Sequence, residues 1–309
     1  MAHEPVLAAR DVSIVLSRPA AGSTFLSDYW RLTKPEVSFL IAATTAAGFY
    51  LGSASFTAPS QFPLMLLLHT VVGTVLVASG AAALNQWMEY PFDARMRRTL
   101  RRPIAAGRID PKHGRLFGAI VSLAGLAYLF LAAGVLPSAL AFVTLAGYLG
   151  VYTPLKRITP LCTLIGAIPG AVPPLIGWAA ARGHLDPEAW VLFSIVFLWQ
   201  FPHFMSIAWM YRDDYDRAGY LVLPGGRTRV LFVAAHTLLP LVGLLAVSLL
   251  PVGAGEPGTV YAICALVLTL GFFYFGVRFA LQRSGSAARR LLTASIIHLP
   301  ALLVLMIFS

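Results

Sequence analysis

The sequence predicts an all-α membrane protein that crosses the bilayer several times, and three observations lead to that fold class. Hydrophobic residues make up 58% of the 309-residue chain, charged residues only 12%, and the mean hydropathy is +0.76. That is about half the charge of an average soluble domain. The apolar residues form long runs without the alternation of barrel strands, and roughly 20 such residues cross the bilayer as a helix.

Nine apolar runs are long enough to cross the membrane. They predict transmembrane helices over residues 36–52, 64–86, 113–133, 136–153, 161–181, 188–210, 230–250, 257–281 and 290–308. Residues 1–35 contain no sustained apolar run and predict a cytoplasmic N-terminal tail, which leaves 36–309 as one nine-helix domain. Two charged clusters lie four helices apart, which suggests a four-plus-four helix pseudo-repeat with a ninth helix added.

The distribution of positive charge predicts the orientation. The net charge is +10, and 22 of the 23 Lys and Arg residues fall in the tail or in alternate loops, with only Arg182 on the opposite side. By the positive-inside rule, the N-terminus is expected in the cytoplasm. We therefore expect a multi-pass protein of the inner (plasma) membrane, with the lipid bilayer as a partner and no nucleic acid.

The first charged cluster is "NQWMEYPFDARMRRTLRRP", residues 85–103. Asn85, Glu89 and Asp93 recur every four residues and share one helix face, although Pro91 is expected to kink or end that helix. One amide oxygen and two carboxylates suit Mg²⁺. Arginine side chains are suited to phosphate oxygens. The predicted diphosphate-binding arginines of this cluster are Arg97, Arg98, Arg101 and Arg102. The alternative is a solvated cytoplasmic loop.

The second charged cluster is "YRDDYDRAGYLVLP", residues 211–224. Its three carboxylates, Asp213, Asp214 and Asp216, predict further metal ligands, and Arg212 beside them is predicted to bind diphosphate. The alternative is a helix end with a charged loop. Because both clusters lie on the same membrane face, we expect them to meet over one cavity, where two Mg²⁺ ions would turn a diphosphate into a good leaving group.

Two further features allow more than one interpretation. His203 follows Pro202 within "WQFPHFMSIAW", and it is either a packed structural residue, an iron ligand or a proton-handling residue. Three prolines interrupt the fifth predicted helix: Pro169, Pro173 and Pro174. They predict either a bent helix or a helix that opens around a ligand cavity.

These motifs together resemble a known family. "NQWMEYPFDARMRRTLRRPIAAGRI" is similar to the first aspartate-rich motif of UbiA-type intramembrane prenyltransferases, N-x3-D/E-x3-D followed by M-x-R-T-x2-R-P. The haem-farnesylating branch of that superfamily is indicated by "RLTKPEVSFL", "YTPLKR", "GAVPPLIGW" and "QFPHF", and by "DY" followed by "AG" and "LP". The matches cover most of residues 30–230.

The resemblance implies a Mg²⁺-dependent transfer of farnesyl from farnesyl diphosphate to the 2-vinyl group of protohaem IX (haem b), which gives haem O. It implies that Asn85, Glu89 and Asp93 are catalytic metal and diphosphate ligands and that Asp213 and Asp214 serve a second metal. His203 is the implied haem contact. The basic residues that approach the diphosphate from neighbouring loops are Lys34, Lys156 and Arg157. A downstream haem-modifying enzyme is a further possible partner.

The sequence departs from the superfamily pattern at two positions. Ala218 stands four residues after Asp214, where many relatives carry a second aspartate, and position 89 is Glu rather than Asp. Two other functions remain open, a related prenyltransferase with an aromatic or chlorin acceptor and a secondary transporter. Transport predicts ionisable residues near the midplane, whereas nearly all the charge here lies at the cytoplasmic helix ends.

Overall fold

The structure, a computed structural model, describes residues 24–53, 62–250 and 258–308, and within these ranges it contains helices and no strands. Most of the predicted tail, residues 1–23, therefore lies outside the described residues. The α-helices are α1 (Phe25–Leu32), α2 (Pro35–Gly52), α3 (Leu64–Asp93), α4 (Pro111–Ala133), α5 (Val135–Ala146), α6 (Thr153–Leu155), α7 (Cys162–Ala171), α8 (Pro173–Arg182), α9 (Pro187–Met210), α10 (Arg212–Ala218), α11 (Thr228–Val247), α12 (Thr259–Gln282) and α13 (Gly285–Phe308). The all-α, multi-span prediction is confirmed.

Eight helical segments of the described chain are long and apolar enough to cross a membrane. They are Leu64–Asp93, Pro111–Ala133, Val135–Leu155, Cys162–Arg182, Pro187–Met210, Thr228–Val247, Thr259–Gln282 and Gly285–Phe308. Each corresponds to one of the predicted crossings. Helix α2 covers the remaining one with 18 residues and packs against α3 and α8, but Pro35 and Glu36 make its first turn less apolar. The total of nine crossings stays a prediction.

Helix α3 does not end at Pro91. Of the two outcomes expected there, a kink or an end, the end is wrong, because the helix continues through this proline to Asp93. A proline removes one backbone hydrogen bond and crowds the carbonyl four residues earlier, a disturbance confined here to the last turn. The helix therefore carries Asn85, Glu89 and Asp93 as one continuous element.

Two crossings are interrupted along their length. The proline-rich fifth crossing forms two helices, α7 and α8, which meet at Val172, and α8 begins with Pro173 and Pro174 in its first turn. Proline is well suited to the start of a helix, where a backbone donor is not needed. The fourth crossing passes from α5 through a π-helix, Gly147–Tyr152, into α6. Such π segments frequently lie at functional sites.

The core of the molecule lies around α7, α8 and α9. Within an apolar stretch of 18 residues in each span, 72% of the residues are buried in Cys162–Arg182 and 56% in Pro187–Met210. In Val135–Leu155 the share is only 11%, so this span faces outward. Helix α13 packs against both α9 and α2, which joins the two ends of the helix bundle. Trp178 and Ile195 are among the fully buried side chains of this core.

Helices α2 and α8 approach each other at two glycines. A Cβ atom at Gly177 would lie closer than 3.0 Å to the carbonyl oxygen of Thr45, and one at Gly48 would meet the carbonyl of Pro174 in the same way. Small residues allow this close backbone approach between membrane helices. The contact holds α2, whose N-terminus carries Lys34, firmly against the core.

Helix α1 lies in a segment for which the sequence analysis predicted no helix. Thr24 caps its first turn by accepting a hydrogen bond from the backbone N–H of Ser27. Asp28 pairs with Arg108 at 2.9 Å, and Gln86 of α3 donates to the carbonyl of Leu32 at 3.1 Å. Helix α1 is therefore docked on α3 and on the loop of residues 94–110, called here the 94–110 loop.

Candidate active site

A cavity of about 190 Å³ lies at the end of α3 that carries the first charged cluster. Its wall combines charged and amide groups with aromatic rings. The charged and amide residues are Lys34, Asn85, Glu89, Asp93, Arg98, Arg102 and Lys156, and the aromatic residues are Tyr148, Tyr152, Phe204, Tyr215 and Tyr220. The structure therefore brings the chemistry of the first cluster, the π-helix and α9 together in one place.

The three side chains of α3 whose oxygen atoms could ligate a metal are buried in this wall. Asn85 is 1% exposed, Glu89 5% and Asp93 1%. Their spacing of four residues in a continuous helix directs them to one face. Buried charges require partners, because an unpaired carboxylate away from water is costly.

Each oxygen donor meets one cation. The three contacts are Lys34 Nζ with Asn85 Oδ1 at 3.2 Å, Lys156 Nζ with Glu89 Oε1 at 2.9 Å, and Arg102 Nη1 with the Asp93 carboxylate at 2.7 and 2.8 Å. The cations come from three different parts of the chain. The cavity therefore holds three side chains with oxygen atoms that could ligate a metal, and each of them contacts one basic side chain.

Lys34 enters the cavity from the turn between α1 and α2. Its backbone lies in the left-handed region at φ 48° and ψ 66°, which is unusual for a residue other than glycine and stores strain. Burial, and then the positive charges of Arg102 and Lys156, lower the pKa of Lys34 to about 7. At neutral pH and without a ligand Lys34 is therefore only partly protonated, and an anion bound beside it would favour the ammonium form.

The other two cations are held by local contacts. The Lys156 ammonium lies 4.5 Å from the centre of the Tyr152 ring, a cation–π contact. The backbone carbonyl of Lys156 accepts a hydrogen bond from the backbone N–H of Leu221 at 2.7 Å. Burial alone would lower the pKa of Arg102, but the carboxylate of Asp93 outweighs burial and raises it above its ordinary value. Arg102 is therefore firmly cationic.

The two charged loops meet through Asp214. Its carboxylate accepts a hydrogen bond from the backbone N–H of Arg98 at 3.1 Å and pairs with Arg217. The Arg98 guanidinium donates to the Tyr215 hydroxyl at 3.0 Å and lies over the Tyr211 ring. The 94–110 loop is thereby attached to residues 211–227, called here the 211–227 loop.

The donor set fits Mg²⁺, which prefers oxygen ligands and commonly completes its octahedral shell with water and substrate phosphate. Asn85, Glu89 and Asp93 offer an amide oxygen and two carboxylates on one wall. In the described part of the chain, no three His, Cys, Asp or Glu side chains form a ready metal cage. A magnesium ion here would therefore depend on a phosphate-bearing ligand for part of its coordination.

Comparison with known proteins identifies the family. Residues 41–299 match the model of the UbiA prenyltransferase family. The chain belongs to the UbiA prenyltransferase family. It is 46% identical over 288 residues to a protein of Solibacter usitatus (strain Ellin6076) named "Protoheme IX farnesyltransferase", an alignment that covers 92% of this chain and 99% of the relative.

Solved structures confirm the UbiA fold. The structure of a digeranylgeranylglyceryl phosphate synthase matches with a TM-score of 0.72 at 16% identity, over 92% of this chain and 97% of the other. A UbiA homologue from Archaeoglobus fulgidus, bound to GPP and Mg²⁺, matches with a TM-score of 0.63 at 15% identity, over 92% and 100% of the two chains. At these identities the likeness concerns the fold alone.

Several predicted site residues of this UbiA-family chain lie outside the cavity wall. The Asp213 side chain is 82% exposed and lies 3.6 Å from Arg212, and Asp216 pairs with Arg229 at 3.2 Å. The arginines that do not line the cavity are Arg97, Arg101, Arg157 and Arg212. The first three of these are exposed.

His203 faces the helix bundle. Its Nδ1 lies 2.8 Å from the Ser295 hydroxyl of α13, and its ring stacks on Trp199 at 4.8 Å between centroids. The next residue, Phe204, lines the cavity. His203 is therefore adjacent to the cavity wall in sequence but is directed between α9 and α13.

The sequence analysis assigned no role to the tyrosines of this UbiA-family site. Tyr148 and Tyr152 lie on the π-helix, and Tyr215 and Tyr220 belong to the 211–227 loop. The positions of Tyr152 and Tyr220 within "YTPLKR" and "DDYDRAGY" offered a hint, since both stand close to charged residues. Tyrosine spacing alone does not distinguish cavity residues from core residues, because both types of position favour aromatic side chains.

Proposed function

We propose that the chain transfers the farnesyl group of farnesyl diphosphate to the 2-vinyl group of protohaem IX (haem b), giving haem O and diphosphate. The observation that carries the proposal is the cavity wall in which Asn85, Glu89 and Asp93 each face a cation. Such a wall suits a diphosphate bound with a divalent cation. Similarity to relatives named protoheme IX farnesyltransferase supports farnesyl as the donor group and haem as the acceptor.

The diphosphate lies among the cations of the cavity wall, which are Lys34, Arg98, Arg102 and Lys156. Ammonium and guanidinium groups form strong charge-assisted hydrogen bonds to phosphate oxygens. Four arginines outside the cavity wall add to the positive field that attracts an anionic substrate, and they are Arg97, Arg101, Arg157 and Arg212.

Asn85, Glu89 and Asp93 would hold a magnesium ion, which would supply the charge that makes diphosphate a good leaving group. The oxygen-rich donor set supports this assignment, and so does the UbiA homologue solved with GPP and Mg²⁺. The carboxylates proposed as a second set of metal ligands are Asp213, Asp214 and Asp216. Asp214 also attaches the 94–110 loop, so its replacement affects both loops.

The reaction breaks the bond between farnesyl C1 and a diphosphate oxygen, and the electron pair leaves with the diphosphate. The rings of Tyr148, Tyr152 and Phe204 line the cavity and stabilise the developing allylic cation through their faces. The vinyl group supplies the electron pair of the new carbon–carbon bond. Water adds to the resulting cation with loss of one proton, which leaves a hydroxyethylfarnesyl chain. The protein binds, orients and shields, without a covalent nucleophile.

The acceptor and the isoprenoid tail extend beyond the described cavity. A volume of about 190 Å³ is below the roughly 300–1,000 Å³ of pockets that enclose a drug-sized ligand. The diphosphate occupies this cavity, and the tail lies along apolar helix faces. His203, next to the cavity residue Phe204, is the proposed haem contact.

The cytoplasmic side of the inner (plasma) membrane is the proposed location of the site. The first charged cluster, Lys34 and Lys156 all belong to segments rich in Lys and Arg, which favour the cytoplasmic face. The lipid bilayer, farnesyl diphosphate and haem b are the proposed partners, together with a downstream haem-modifying enzyme that receives haem O. Nucleic acid is not a proposed partner.

The test is a reconstituted reaction. Purified protein in lipid receives haem b, farnesyl diphosphate and Mg²⁺, and the extracted haem is analysed by mass spectrometry. We expect a product heavier by one farnesyl group plus one hydroxyl group, and no product after chelation of divalent cations. Unchanged haem from protein that still binds Mg²⁺ and pyrophosphate would refute haem as the acceptor.

Two matched lysine variants connect the reaction to the cavity. Lys156→Met should lower the transfer rate by about 100-fold or more, because Glu89 and the diphosphate both lose a charged partner. Lys112→Met, in an exposed position at the start of α4, should leave the rate unchanged. Equal rates for the two variants would contradict the proposed diphosphate site.

A further inference from the structure

The hydroxyl of Tyr220 is buried in the cavity wall without a partner. Tyr220 is 3% exposed and lines the cavity, and its hydroxyl makes no hydrogen bond of good geometry within the described part of the chain, although it lies near the Glu89 carboxylate, which already pairs with Lys156. A buried hydroxyl without a partner costs roughly 1–3 kcal/mol. Phenylalanine would fill the same space without this cost, so packing alone does not account for the hydroxyl.

The backbone around Tyr220 holds the side chain in place. Gly219 adopts φ 78°, a left-handed conformation suited to glycine, and so ends α10. The Tyr220 N–H then donates to the carbonyl of Tyr215 at 3.0 Å, and Leu221 donates to the carbonyl of Lys156 at 2.7 Å. The hydroxyl is thus a fixed group beside a cationic residue of the cavity.

The ring of Tyr220 packs against two other aromatic rings. Its centroid lies 5.6 Å from that of Phe92 and 6.1 Å from that of Tyr215. Burial, and then the negative charge of Glu89, raise the pKa of Tyr220. The phenol therefore keeps its proton at neutral pH and remains a hydrogen-bond donor.

The missing partner is an acceptor that enters the cavity. The neighbouring Lys156 and Arg102 are donors that lack acceptor atoms, and they favour an anionic ligand. The nearby Glu89 carboxylate already accepts a hydrogen bond from Lys156 at 2.9 Å. We propose that the Tyr220 hydroxyl donates a hydrogen bond to the diphosphate of the prenyl substrate, which makes Tyr220 a substrate-binding residue. This inference rests on the proposed diphosphate site. A haem propionate offers similar acceptor oxygens, and the experiment distinguishes the two ligands.

The test compares Tyr220→Phe with Tyr261→Phe. Tyr261 is also buried, at 6% exposure, but its hydroxyl donates to the carbonyl of Ser248 at 2.8 Å, away from the cavity. Binding of pyrophosphate in the presence of Mg²⁺ is measured by calorimetry, haem b binding by absorbance, and the melting temperature without ligand by thermal unfolding.

We expect Tyr220→Phe to weaken Mg²⁺–pyrophosphate binding by about 10- to 100-fold, the range for a hydrogen bond to a charged acceptor. Its melting temperature without ligand should equal or exceed that of the wild type, because an unsatisfied group is removed. Tyr261→Phe should show the reverse pattern, with a lower melting temperature and unchanged binding.

Three results would overturn the inference. Tyr220→Phe that binds Mg²⁺–pyrophosphate as tightly as the wild type shows that the hydroxyl does not contact the diphosphate. Loss of haem b binding with intact pyrophosphate binding assigns the hydroxyl to a haem propionate instead. If the folded wild type fails to bind Mg²⁺–pyrophosphate at all, the diphosphate site itself is wrong and the inference fails with it.

Discussion

The ion pair between Asp93 and Arg102 offers a direct test of the proposed site, because ligand binding should separate the pair, with Asp93 turning to the metal and Arg102 to the phosphate. Arg102 Nη1 lies 2.8 and 2.7 Å from the two carboxylate oxygens of Asp93, and the side chains are 25% and 1% exposed respectively. Asp93→Asn removes the charge and keeps the shape, and Arg102→Met removes the guanidinium and keeps an apolar stem. Each change should destabilise the protein without ligand and reduce farnesyl transfer.

The expected coupling follows from distance and burial. A hydrogen bond to a charged group contributes about 1.5–3 kcal/mol, whereas fully exposed ion pairs contribute only about 0.2–1 kcal/mol. Because a quarter of the Arg102 side chain is exposed, we expect a coupling free energy of about 2 kcal/mol. The Asp216–Arg229 pair is the matched control, with 51% and 22% exposure at 3.2 Å, and its coupling should stay below about 1 kcal/mol.

The assay is a double-mutant cycle on the free energy of unfolding in lipid or detergent. The single variants Asp93→Asn and Arg102→Met and the double variant are compared with and without Mg²⁺ and pyrophosphate. With the ligands present, the coupling should fall, because Asp93 then faces the metal and Arg102 the phosphate. A coupling no larger than that of the control pair, or one that the ligands leave unchanged, would refute this partner exchange.

Two further predictions concern packing and the 211–227 loop. Gly177→Ala should destabilise the protein by about 1–3 kcal/mol, since its Cβ meets the backbone of α2, while Gly147→Ala, with nothing within 4 Å, should be neutral in the same unfolding experiment. Asp214→Asn should reduce farnesyl transfer at least about tenfold more than Asp213→Asn, because Asp214 also anchors the 94–110 loop whereas Asp213 is 82% exposed. Equal effects of the two aspartate variants in the transfer assay would count against the anchoring role.

The crossings were predictable because a bilayer demands long apolar runs whatever the tertiary contacts. The predicted helix 188–210 and the observed Pro187–Met210 differ by one residue, and a proline in the first turn marks the start. Helix α1 was not predictable in the same way. Its eight residues are too short to cross a bilayer, so a search for long apolar runs passes over them, although the Thr24 cap and an amphipathic pattern are local signals of a helix. Contacts with residues far along the chain, such as the Asp28–Arg108 pair, fix its position.

Within the site, too, local spacing was predictable from the sequence and long-range contacts were not. The four-residue spacing of Asn85, Glu89 and Asp93 is a local property of one helix and is visible in the sequence. Lys34 meets Asn85 across 51 residues and Lys156 meets Glu89 across 67, so these pairings arise only from the packing of α2 and the π-helix beside α3. Family resemblance placed both lysines near the diphosphate, but spacing carries no information about which oxygen each would meet.

The paired arrangement explains how an apolar protein keeps its scarce charge buried before substrate arrives. A carboxylate or guanidinium left without a partner in a low-dielectric wall costs several kcal/mol, whereas each of these groups has one. Phosphate entering alone would draw the cations away and leave Glu89 and Asp93 facing further negative charge. A metal ion entering alone would likewise leave Lys156 and Arg102 beside another cation. Metal and diphosphate entering together would allow every group to exchange one partner for another, so the proposed site favours their joint binding.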